Sequence, residues 1–149
     1  PENDIMNHKP RKTSEGLVSP SLMVLMIIGA AWSVLINITL FIWARNSGRP
    51  VTEAMTMVFT SLVLIQFLKT YNFRSSMHTI FHRTFANRWL NWAVLSEVLL
   101  LIPIIYLPVL QIPFNTTPLS LFDWAVVLGA AITIVPALEI VKLFVRLRK

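Results

Sequence analysis

The sequence predicts an all-α, polytopic membrane bundle of four helices with short loops and both termini on the cytoplasmic side. Three observations carry this expectation. Hydrophobic residues make up 55% of the 149-residue chain and charged residues 13%, with a mean hydropathy of +0.65, a balance too apolar for a soluble domain of this length. Four apolar stretches, Leu22 to Trp43, Val51 to Phe73, Trp89 to Leu110 and Leu119 to Val141, are each long enough to cross about 30 Å of hydrocarbon at about 1.5 Å per residue. The basic residues fall between them unevenly. Lys9, Arg11, Lys12, Arg74, Arg83, Arg88, Lys142, Arg146, Arg148 and Lys149 lie on one side of a four-span chain, against Arg45 and Arg49 on the other, so the positive-inside rule puts both ends in the cytoplasm.

The same composition narrows function. Short loops and two tails leave no room for a soluble catalytic domain, so any chemistry is intramembrane. The absence of cysteine excludes disulfides and thiolate metal sites. The net charge of +6 is spread between spans rather than gathered on a basic face, which argues against nucleic acid as a partner. The chain opens on Pro1 with neither Met nor a signal-peptide pattern, and is expected to be a piece of something longer.

Residues 1–21, PENDIMNHKPRKTSEGLVSPS, are too polar and Pro-broken to span and read as a cytoplasmic loop segment ahead of a four-helix domain over 22–149. In the first span Gly29, Ala30, Ala31 and Ser33 form a small-residue patch that lets another helix approach, and Asn37 is expected to bond a neighbouring helix. RNSGRP, residues 45–50, is a short outside turn.

The second span contains TEAMTMVFTSLVLIQFLKTYN. Turned at about 100° per residue, it places Thr52, Thr56, Gln66 and Thr70 within a sector of roughly 80°, with Thr60 just beyond and Lys69 about 60° to the other side. This oxygen-rich flank is expected to face protein or a wet cavity. The Gln66 amide oxygen is a hard, neutral donor suited to calcium or another hard cation, which makes Gln66 the one metal-ligand candidate. Lys69 lies roughly 6 Å from the cytoplasmic end, Gln66 about 10 Å, Glu97 about 12 Å and Glu139 about 10 Å, so that with Thr70 and Asn72 they form an intramembrane polar layer. Two readings of Lys69 stand side by side, an ion pair with Glu97 or snorkelling to the surface.

Residues 75–87 carry Met77, Ile80, Phe81 and Phe85 at helical spacing beside His78, His82 and Arg83, the pattern of an interfacial amphipathic helix. His78 and His82 have the spacing of a metal pair but no third ligand nearby. In the third span Pro103 and Pro108 should bend the outer half. The fourth opens on Ser120 and Asp123 as caps, offers Ala125, Gly129 and Thr133 as a small-residue stripe, should kink at Pro136, and lets Lys142 pair with Glu139 one turn away.

Asp4, Ile5, Met6, Pro10 and Arg11 fit a DIM-x-x-x-PR pattern. Together with EAMTMVFTSLVLIQFLKTYNFRS and the last two spans in order, this resembles helices seven to ten, with the preceding loop, of the calcium-pump branch of P-type cation-transporting ATPases. The resemblance implies that Gln66 occupies the position where an acidic or amide side chain of the eighth helix helps form a cation site. Lys69 departs from it, since a neutral residue is usual there. It further implies a parent enzyme, in the plasma membrane of a prokaryote, that couples ATP hydrolysis through a phosphorylated aspartate to movement of calcium or another hard cation. ATP and Mg would then belong to the parent only. The segment itself would hold no cofactor, would not be an enzyme alone, and would have as partners the bilayer, the remaining helices and the cytoplasmic domains. Two other readings stay open: a self-contained four-helix transporter or channel relaying through Lys69 and Glu97, and a membrane scaffold or regulatory subunit.

Overall fold

The computed structural model describes residues 20–73 and 88–147. Along them run α1 (Pro20–Asn46), α2 (Val51–Asn72), α3 (Arg88–Tyr106), α4 (Pro108–Phe114), α5 (Leu121–Ile132) and α6 (Ile134–Leu147). Leu22–Asn46, Val51–Asn72, Arg88–Tyr106 and Leu121–Val145 are each long and apolar enough to cross a membrane, so the chain is an integral, multi-pass membrane segment. The expectations for Asp4, Met6, Pro10 and Arg11, for the amphipathic stretch and for His78 and His82 lie outside the described residues.

The central element is α2, which packs along α1 and α5. In turn α1 leans on α6, whereas α3 packs chiefly on α4 and only lightly on α2. One core cluster, toward the α1–α2 turn, joins Ala44, Met57, Leu101, Ile105 and Val127. The other joins Leu25, Ile65, Ala131, Ile134 and Leu138 near the opposite end. Many large apolar side chains remain on the outside, Leu99 at 60% exposure and Leu100 at 63% among them. Lipid solvates such a surface as well as a core does, so close packing rather than hydrophobic burial selects the interfaces.

Glycine is used for that close packing at one position. A Cβ at Gly29 would lie 3.2 Å from Phe73 Cζ and 3.3 Å from Leu138 Cδ2, so α1 meets the end of α2 and α6 at a distance that leaves little room for any side chain. Ser33 shares this buried side, whereas Ala30 and Ala31 face outward. Of the stripe expected on the fourth span, Thr133 meets α1, where its Oγ1 accepts from Trp32 Nε1 at 3.2 Å, whereas Ala125 and Gly129 are exposed among the described residues, and a Cβ at Gly129 would have nothing within 4 Å. Asn37 also departs from expectation, because its Nδ2 donates to Ser33 O of its own helix at 2.7 Å.

Both proline-containing spans break, one turn away from where a simple kink would put the bend in the fourth. Pro136 cannot donate to Ile132 O and its ring crowds that carbonyl, so α5 stops at Ile132 and α6 restarts at Ile134, with Pro136 inside the new first turn. Thr133 bridges the break, its N–H and Oγ1 both donating to Ala130 O, at 3.3 and 2.6 Å. In the third span the helix continues past Pro103 and breaks at Leu107, the extended residue before Pro108. That break strands the carbonyls of Ile104 and Ile105. Thr116 Oγ1 donates to the first at 2.5 Å and Gln111 Nε2 to the second at 2.6 Å, as hydrocarbon surroundings require. The expected cap at α5 forms in full: Asp123 N donates to Ser120 Oγ at 3.2 Å and Ser120 N to Asp123 Oδ2 at 3.0 Å.

Candidate functional site: the polar face of α2

The oxygen-rich sector of α2 splits across the edge of its packing. Thr56 and Thr60 are buried, whereas Gln66 and Thr70 share an open strip with Met55 and Leu62. The hydroxyls are committed to their own helix. Thr56 Oγ1 donates to Thr52 O, Thr60 Oγ1 to Thr56 O and Thr70 Oγ1 to Gln66 O, each at 2.8 Å. Thr56 Oγ1 also accepts the Thr117 N–H at 3.0 Å. What remains is Gln66, six residues before the end of α2, whose side-chain amide bonds no other described residue. The inward placement expected for this flank therefore holds for Thr56 and Thr60, and Gln66 instead faces out of the four-span bundle.

Lys69 and Glu97 do not form an ion pair. Glu97 lies on the exposed surface of α3, while Lys69 is 9% exposed, with its Cε 3.7 Å from where a Cβ on Gly29 would stand. The two residues leave α2 and α3 on different sides, so similarity of depth does not bring them together. The relay invoked for a self-contained transporter thus has no pair to run through.

The rest of the expected polar layer converges near the end of α2. Lys142, 1% exposed, donates to Asn72 O at 2.9 Å and meets Glu139 Oε1 at 3.4 Å, as the spacing of the last two predicts. An ammonium on the last carbonyls of α2 satisfies a group the helix leaves open and complements its dipole. Asn72, 1% exposed, keeps its side-chain amide buried with no hydrogen-bond partner. This cluster holds α6 to α2.

A second polar centre was not legible in advance. Arg49 donates through Nε and Nη2 to Asp123 Oδ1 at 2.9 and 2.6 Å, and its Nε lies 3.1 Å from Glu53 Oε1. The guanidinium also sits 4.7 Å from the Trp43 ring centroid. The spacing of Arg49 and Glu53 signals the helical half of this network, but nothing in the sequence connects Arg49 to Asp123.

No group of three His, Cys, Asp or Glu side chains that could hold a metal occurs among the described residues. A hard cation takes six or more oxygens, so Gln66 by itself could supply only a small part of a shell.

Comparison with known proteins gives the segment its context. Residues 1–144 match the family model described as cation transporting ATPase, C-terminus. The chain is 32% identical over 130 residues, 87% of its length, to a calcium-transporting ATPase of Bacillus subtilis, and covers 15% of that protein. It is 30% identical over 147 residues to the mouse calcium-transporting ATPase type 2C member 2, with 96% of the chain and 15% of the relative covered. Against calcium-transporting ATPase 1 of Bacillus cereus the identity is 31%, over 94% of the chain and 18% of the relative. The chain thus spans less than a fifth of the length of these relatives.

Proposed function

The chain belongs to the C-terminal membrane family of cation-transporting ATPases, and from that premise we propose that it works as the scaffold of an ATP-driven cation pump, contributing Gln66 as a ligand or close neighbour of the transported ion. The observation that carries this reading is the position of Gln66: an uncommitted amide inside a span, about 10 Å from its cytoplasmic end, on a face that the described residues leave uncovered. Polar groups at that depth are unfavourable against lipid and belong against protein or a wet path. The large part of the relatives' length that lies outside this segment is the source of such a covering.

On this reading the parent chain hydrolyses ATP with Mg, and its cation is calcium, the ion named for the relatives, or another hard ion. The bias of basic residues toward one side of the spans supports a cytoplasmic location for both termini of the segment. Relatives from two Bacillus species support a prokaryotic plasma membrane as its location. The segment contributes no ATP chemistry. The test is Gln66→Ala in the full-length protein. Half-maximal ATPase activity should require about tenfold more calcium, equivalent to roughly 1.4 kcal/mol of lost binding, and an unchanged calcium dependence would reduce the role to scaffold alone.

A further inference from the structure

We infer that Lys69 is a fixed positive charge that weakens binding of the transported cation and so sets the concentration at which its site fills, an inference that rests on the reading of Gln66 above. The lysine lies inside the bundle. It is 9% exposed, and its Cε comes within 3.7 Å of where a Cβ on Gly29 would stand, with Phe73 Cζ and Leu138 Cδ2 closing on the same point. A lysine that snorkels keeps its head group in water, whereas α1, α2 and α6 enclose nearly all of this one.

Nothing among the described residues neutralises it. The Lys69 side chain makes no hydrogen bond or ion pair with any of them. Of the two carboxylates at similar depth, Glu97 lies on the exposed surface of α3, and Glu139 Oε1 meets Lys142 Nζ at 3.4 Å. Lys142, 1% exposed and one turn beyond Leu138 on α6, brings a second positive charge to the same seam. The amide of Asn72, one turn from Lys69, is buried there as well and, being neutral, offsets no charge.

The charge acts across the helix that carries it. Lys69 stands three residues after Gln66, about 4.5 Å along α2 and about 60° round it, so the two diverging head groups are on the order of 10 Å apart. Between them lie the α2 backbone and apolar side chains such as Ile65 and Leu68 rather than water, and screening is correspondingly weak. Repulsion grows with the charge of the ion. At this distance a unit positive charge should weaken binding of a divalent cation about fivefold or more, and it acts twice as strongly on calcium as on a monovalent ion.

The experiment uses the full-length protein in lipid vesicles, with calcium as the probe. Lys69→Met keeps most of the stem and removes the charge, and Lys69→Gln removes the charge but keeps a polar head. Both should lower the calcium concentration for half-maximal ATPase activity about fivefold or more, whereas Lys69→Arg, which keeps the charge, should stay within about twofold of wild type. Either neutral variant decides if the other does not accumulate as folded protein. An unchanged or raised half-saturation in the neutral variants overturns the inference. So does a tightening that Lys69→Arg shares, which would assign Lys69 to helix packing. Gln66→Ala separates the two readings. If it weakens the calcium dependence while the neutral Lys69 variants leave it untouched, the inference falls and the reading of Gln66 survives. If the neutral Lys69 variants tighten it and Gln66→Ala does not move it, the repulsion stands and Gln66 is no ligand.

Discussion

Arg49 reaches from the turn between α1 and α2 to Asp123 in the first turn of α5, donating to Oδ1 at 2.6 Å. Their side chains are 16% and 4% exposed, and the carboxylate simultaneously completes the cap of α5. One guanidinium thereby closes the end of the bundle that bears the short loops.

Arg49→Ala should lower stability by about 2 kcal/mol, because it leaves a nearly buried carboxylate without its cation, although Ser120 still donates to it. Arg49→Lys should recover only part of this, since an ammonium cannot reproduce the fork or stack as well on Trp43. Thermal unfolding in detergent measures the order: wild type above Lys above Ala.

Replacing Lys142 with Ala removes the donor to Asn72 O and the partner of Glu139 inside the span. The expected loss is about 2 to 4 kcal/mol. Glu139→Gln should cost less, because it keeps a polar acceptor at the same place. Protease accessibility near the end of α2 reports the loosening directly.

At Gly29 two effects oppose. Alanine gains about 1 kcal/mol of helix propensity over glycine, but its Cβ would press on Phe73 Cζ at 3.2 Å and Leu138 Cδ2 at 3.3 Å, both ends of flexible side chains that can give way. Gly29→Ala should therefore fall within about 1 kcal/mol of wild type. Gly29→Leu should separate α1 from α6 and cost more than about 2 kcal/mol. Equal melting temperatures for the two variants would show that the close approach is unimportant.

Thr116→Val removes the hydroxyl that satisfies Ile104 O at the Pro108 break, at nearly constant volume. An unsatisfied buried carbonyl costs about 1 to 3 kcal/mol, so the variant should melt several degrees lower. Thr39→Val, whose hydroxyl only bonds Leu35 O of its own exposed helix face, serves as the control and should be nearly neutral.

The spans were legible because length and hydropathy are summed over some twenty residues, and lipid tolerates errors in rotation. The Ser120 and Asp123 cap and the Glu139 and Lys142 pair were legible because each depends on spacing within one helix. What failed depends on how helices turn toward each other. Depth alone paired Lys69 with Glu97, yet Gly29 makes room for the lysine stem on the α1 side. The polar sector of α2 is continuous on a helical wheel, but the edge of the interface runs through it and parts Thr56 from Gln66. The break at Thr133 lies upstream of the proline that causes it, because proline withholds its hydrogen bond from the preceding turn.

On the proposed reading the open strip of α2, which carries Gln66, meets protein rather than acyl chains in the full-length protein. In the full-length protein, a fluorophore attached through Gln66→Cys should be protected from a quencher carried on lipid tails, while one attached through Leu99→Cys, on the outer side of α3, should be strongly quenched. Equal quenching at the two positions would mean that Gln66 faces lipid, and would contradict the claim that it borders the path of the ion.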